Sequence, residues 1–239
     1  MIAEGKDLPS LTMFEAEEEF KKYHNRLRQE LDEADWNFQI AKYISDMTNE
    51  YRRELNQAPA FWNLTIKAHL FTSLIHLNNL FGKKEKEKFL HMDNFLDFVR
   101  NNLSIFEHKH FKRRLKVAGR YNELAAGFIS IVNAEKVKQD TEKLGKLPIS
   151  SLKAWRNKVL SHIDRDFVKA GTNIPAKHPI KTKHVQEIID ALDKMLNEYE
   201  LAFDFSTWSR RLPIGDDIKN ILDAIKYKLE ANKASRLKR

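Results

Sequence analysis

Apolar residues recur every three or four positions along most of this chain and form no convincing alternating strand. That period marks helices with one buried stripe. Thr12 to Glu15 fits a reciprocal capping box, which predicts a helix with Phe20, Tyr23, Leu27 and Leu31 on one side. Its Glu15, Glu17, Glu18 and Glu19 suit the positive end of a helix and read as a solvated acidic face. Trp36, Ile40, Tyr43, Ile44, Met47, Tyr51 and Leu55 continue the pattern without a breaker, so the two runs can form one long helix. Gln57-Ala58-Pro59 closes it and opens the next, over 60–81. This helix is apolar around most of its circumference, which places it at the centre of a bundle. Its one polar stripe is Thr65, His69, Thr72, His76 and Asn79. These read as hydrogen-bonded groups between helices, because zinc usually takes three or more protein ligands and no third accompanies the histidines.

Residues 82–88 read as a charged turn, and Asp93 as the cap of a short helix through Phe98 and Val99. Glu107 to Lys116 is the most basic run, with His108 and His110 weak as metal ligands. Two readings fit it: a solvated helix face, or phosphate contacts from Lys112, Arg113 and Arg114 beside Lys109 and Lys116. Amphipathic stretches follow over 121–131 and 134–144. A helix begins at Pro148, and 167–178 reads as a loop long enough to suspect of function. Thr182 opens a strong helix with Val185, Ile188, Leu192, Leu196, Tyr199 and Phe203. Pro213-Ile214-Gly215 breaks the chain before a last helix carrying Ile218, Ile221, Leu222, Ile225 and Leu229. The pattern predicts an all-α, single-domain antiparallel helical bundle with an additional C-terminal helix. Residues 1–11 form a flexible arm, 12–205 the bundle, and 206–239 a helical extension packed on the same domain.

At 239 residues the chain can bury a sizeable core. Its net charge of +8 and isoelectric point near 9.4 favour an acidic partner such as nucleic acid. There is no cysteine, which removes disulfides and thiolate zinc sites. No apolar run resembles a signal peptide, and the longest, 61–81, is interrupted by Lys67, His69, His76, Asn78 and Asn79. The expectation is a soluble, cytoplasmic protein with no membrane partner. The chain has no phosphate-binding glycine loop, no HExxH and no serine elbow, which argues against kinase, zinc-protease and hydrolase chemistry.

The helix from Pro148 holds the candidate chemistry. Ile149, Leu152, Trp155, Val159, Leu160 and Ile163 share one face, and Arg156 falls in the middle of it. An arginine among apolar neighbours needs a partner. That partner is either a carboxylate of another helix, or a phosphate gripped by the two-pronged guanidinium. His162 lies at the edge of the face, roughly 9 Å along the axis from Arg156 and about 120° around it. The two converge only if the helix bends or ends there, or if a partner subunit supplies half the site.

Arg156-Asn157-Lys158-Val159-Leu160-Ser161-His162 resembles the Arg-(four to six residues)-His motif of the HEPN superfamily, in which a polar residue, often Asn, follows the arginine. The bare spacing arises by chance about 1.6 times in a chain of this composition, and on the order of 0.1 times once Asn must follow Arg. The stretches Ala58-Pro59-Ala60-Phe61-Trp62-Asn63-Leu64-Thr65-Ile66-Lys67-Ala68 and Arg156 to Asp164 further resemble the abortive-infection, AbiU-type branch, over roughly residues 12–205. The resemblance implies a ribonuclease site without metal or cofactor. Arg156 would stabilise the phosphorane, His162 act as base or acid, and Asn157 orient the site; Lys158, beside them, would add a phosphate contact. It also implies a homodimer, RNA as substrate, and a defence role with an antitoxin or other partner protein. Two alternatives stand beside it: a non-catalytic RNA- or nucleotide-binding HEPN domain, and a structural domain in which Arg156 is salt-bridged.

Overall fold

The long first helix begins as the capping box requires. In the computed structural model, which describes residues 11–82, 90–155, 179–209 and 215–237, the Thr12 N–H donates to Glu15 Oε2 at 2.8 Å and the Glu15 N–H to Thr12 Oγ1 at 3.3 Å. Helix α1 then runs unbroken over Met13–Asp46. A turn and the short α2 (Arg52–Leu55) lead to α3 (Pro59–Leu80), which has proline at its first position, where no N–H is needed. Then come α4 (Met92–Asn101), a 3-10 turn (Leu103–Phe106), α5 (His108–Val117), α6 (Glu123–Ala126) and α7 (Ala134–Lys146). α8 (Ser150–Trp155), α9 (Thr182–Asp204) and α10 (Gly215–Leu237) complete an all-α fold, with no strand among the described residues.

Local chemistry explains several boundaries. Asn133 caps α7, its side chain accepting from the Lys136 N–H at 2.9 Å. Asp93 lies inside the first turn of α4 rather than capping it. The amphipathic stretch over 121–131 forms only the single turn α6. Gly127 follows it, and Ile129, Ile131 and Val132 are β-branched and costly in a helix.

The chain divides into two compact units. One takes in Met1–Gln29, Leu80–Leu147 and Asp190–Trp208; the other takes in Glu30–Asn79, Pro148–Ile189 and Ser209–Arg239. The first is built on an aromatic cluster. Phe20 stacks on Phe203 at 4.4 Å between ring centres and meets the edge of Phe106 at 5.3 Å, while Phe95 meets Tyr199 at 5.5 Å. A smaller cluster joins Phe111, Leu115 and Ala125 with Tyr121, Phe128 and Phe205. Phe205, just past the end of α9, has φ of 59°, and its ring packs on Phe128.

In the second unit, Ile40, Ile44, Tyr51, Leu55 and Trp62 close around Ile218 and Leu222 of α10. The Tyr51 hydroxyl donates to Asp223 at 2.7 Å. The C-terminal helix is thus fixed by burial and by a specific polar contact.

Candidate functional site

Arg156, Asn157, Lys158 and His162 lie outside the described residues, as does the stretch 167–178; the segment leading into the motif is described as far as Trp155. Leu152 is buried, and with Pro148 it lines a small cavity of about 10 Å³ shared with Leu74, Leu77, Val185 and Ile188. Trp155, the last described residue before the motif, meets the edge of Phe71 at 5.9 Å. The apolar face read from the sequence therefore seats α8 on α3 and α9.

α3 departs from the central position expected for it. One side buries Trp62, Leu74, Leu77 and Leu80, but Phe61, Leu64, Ala68 and Ile75 are exposed and Phe71 is half-buried. These five are spaced by three and four residues and lie within about 80° of helix circumference. An all-round apolar helix has no preferred side of its own, so its pattern does not show which side is covered. The polar stripe faces α1. His69 Nδ1 is 2.8 Å from Asn37 Oδ1, and His76 Nδ1 is 2.9 Å from Glu30 Oε2. Asn79 donates to the same Glu30 oxygen at 2.9 Å. Thr65 and Thr72 bond back to their own helix. The stripe is interhelical packing, and among the described residues no three His or carboxylate groups are placed to hold a metal.

The basic run forms α5. Arg114 is nearly enclosed. Its guanidinium donates to Glu17 Oε1 at 2.6 Å, to the Ile105 carbonyl at 2.8 Å and to the Phe203 carbonyl at 2.7 and 2.9 Å, and it lies 3.9 Å over the Phe203 ring. Burial pulls its pKa down while Glu17 opposes that pull. Arg113 pairs with the other Glu17 oxygen and stays half exposed. Glu17 is 4% exposed, so the solvated acidic face expected at the start of α1 fails at this residue. The sequence offered no signal for Glu17, since its partners lie nearly a hundred residues away. Lys112 and Lys116 each sit over the Tyr121 ring, at 5.5 and 5.6 Å. His110 is held below its ordinary pKa by burial and by Lys109 and Arg113.

Other polar groups of this unit are structural. Asp140 is 1% exposed, accepts from the Tyr199 hydroxyl at 3.0 Å and pairs with Lys136, which also reaches Glu198 at 2.6 Å. The buried His24 contacts the Leu196 carbonyl through Nε2 at 3.0 Å, and burial lowers its pKa to about 4.

Among the described residues no helix is long and apolar enough to cross a membrane. No curated protein and no solved structure matches the chain. The sequence pattern of one family, AbiU2 of the HEPN superfamily, matches residues 17–223. That span includes Arg156 to His162 and runs past Phe205 into the first turns of α10, where Ile218 and Leu222 are buried. Covering most of the chain, this match places it in the AbiU2 family of HEPN proteins.

Proposed function

We propose that this chain is a metal-independent endoribonuclease acting in phage defence or as a toxin. The observation that carries the reading is the family match running through the Arg156-Asn157-(four residues)-His162 motif. In this reading a histidine takes the proton of an RNA 2′-hydroxyl, whose oxygen bonds to the adjacent phosphorus. The P–O5′ bond breaks, and the departing oxygen receives a proton from an acid. Arg156 stabilises the charge that builds on the phosphorane oxygens, and Asn157 orients the groups. Histidine titrates near neutrality, as base and acid both require. Lys158 adds a phosphate contact at the site. On α5, Lys112 and the exposed edge of Arg113 offer phosphate contacts of their own, with Arg114 fixing the helix behind them.

Each chain carries one motif histidine, while the reaction needs both a base and an acid, so the active form is a two-fold dimer. The exposed apolar face of α3 supports this. It carries Phe71, which touches Trp155, the residue just before the motif.

The test is cleavage of a broad RNA pool in EDTA by the wild type, His162→Ala and Arg156→Ala. Activity lost in both variants supports the reading. Absence of cleavage by folded wild type favours a non-catalytic binding domain, and equal cleavage by all three places the activity elsewhere. In sedimentation, Leu64→Ser is expected to shift the dimer towards monomer.

A further inference from the structure

The connection from α5 to α7 carries an exposed apolar surface that the proposed nuclease does not use. Val117, Leu124, Ile129 and Ile131 are all exposed within fifteen residues, with Val117 and Ile129 at 84%. Isolated exposed aliphatic residues need no explanation, but a cluster of this density marks an interaction surface. Ile129 borders a groove of about 320 Å³ floored by Leu103, Phe106, Phe128 and Val132. Among the described residues, Ile129, Ser130 and Ile131 make no backbone–backbone hydrogen bond; the contact recorded in this stretch is the Val132 N–H donating to the Ser130 hydroxyl at 3.2 Å. Phe-Ile-Ser-Ile-Val is also rich in residues that favour strands.

The rim is basic. His108 to Asn122 holds six Lys and Arg and no carboxylate. Glu17 engages Arg113 and Arg114, Glu107 pairs with Lys109, and Asp204 with Arg120. Lys112 and Lys116 rest on the Tyr121 ring. The exposed apolar groups are aliphatic, so they give RNA bases no flat partners to stack on. They favour a protein.

We propose that residues 128–132 dock an extended segment of a partner protein that is apolar at alternate positions and acidic between them. The segment adds as a strand to the free backbone of 129–131. Its apolar side chains meet Ile129, Ile131 and the groove, and its carboxylates meet Lys112 and Lys116. The inference does not rest on the nuclease reading, although it shares Lys112 with the phosphate contacts proposed there.

The test uses a fluorescein-labelled octapeptide alternating Glu and Val, its Lys-Val counterpart, and a labelled uridine oligonucleotide, all with the full chain. Anisotropy reports binding, and amide hydrogen exchange reports where it occurs. The Glu-Val peptide is expected to bind, to slow exchange at 129–131, and to weaken with salt. Ile129→Ser and Lys116→Glu each weaken it by about tenfold. Both positions are exposed, so the fold is retained, and Ile131→Pro removes one backbone donor without removing the groove. No binding, binding without protection at 129–131, or equal protection by the Lys-Val peptide would overturn the proposal. So would protection by the oligonucleotide, which marks an RNA surface, or protection that rises with protein concentration alone, which marks a second copy.

Discussion

Replacing Arg114 by alanine separates two meanings of the basic run on α5. The side chain is 9% exposed and the carboxylate it meets, on Glu17, 5% exposed. Its nitrogens serve Glu17, Ile105 and Phe203, so one guanidinium ties α1, the 3-10 turn, α5 and the end of α9 together. Arginine keeps its charge even when burial opposes it. Removing Arg114 leaves Glu17 with Arg113 alone and takes a donor from the Ile105 and Phe203 carbonyls, so the cost falls towards the lower end of the range for breaking a buried pair, about 3 kcal/mol. Domains of ordinary stability hold about 5–15 kcal/mol in total, so the loss is a large share. Arg113 pairs with the same carboxylate at 47% exposure, and Arg113→Ala should cost less than about 1 kcal/mol. Exchanging both members of the buried pair, Arg114→Met with Glu17→Leu, should recover much of the loss, because neither side chain then needs a charge partner. Urea unfolding at neutral pH reads all four proteins. Arg114→Ala with a wild-type midpoint, or Arg113→Ala losing as much, would refute the assignment of Arg114 to the fold. The result also governs RNA-binding assays, since weaker binding by Arg114→Ala then reports on folding as well as contact.

Acid should expose the buried His24. Its pKa falls from 6.5 to about 4 on folding, so the unfolded chain binds the extra proton between those values. Stability present above pH 6.5 is lost as pH falls towards 4, by about 3 kcal/mol in all. His24→Gln, which keeps a donor for the Leu196 carbonyl, should flatten that part of the pH–stability curve in denaturant titrations; an unchanged slope counts against it. Asp140→Ala strips the Tyr199 hydroxyl and Lys136 of a shared acceptor and should lower stability by about 3 kcal/mol in urea unfolding. Tyr51→Phe removes the hydroxyl that reaches Asp223, so limited trypsin digestion should cut at Lys226 and Lys228 sooner than in wild type. Unchanged digestion would mean that apolar packing alone holds α10.

Local features were legible in the sequence. The Thr12–Glu15 box, Pro59 at the head of α3, the Asn133 cap and the periodicity of α9 act over a few residues, and the chain carries them without help from distant parts. Family membership was legible for another reason: the stretches that carry the resemblance, 58–68 and 156–164, do so by residue type and spacing, and the family match runs through both. Tertiary structure decided which surfaces meet. Nothing around Glu17 marks it as different from Glu18, yet one is enclosed by Arg113 and Arg114 and the other pairs on the surface with Lys21. The apolar circumference of α3 fits burial on any side, and only packing chose Trp62, Leu74 and Leu77 over Phe61, Leu64 and Ile75. The turn after α5 shows the same limit. Its aliphatic residues follow a pattern that reads as a helix, but Gly127 and the β-branched run cannot hold one, and the side chains left exposed there become visible only once the fold is closed. Local energies set helices and caps, whereas burial and ion pairing depend on partners brought together from far along the chain.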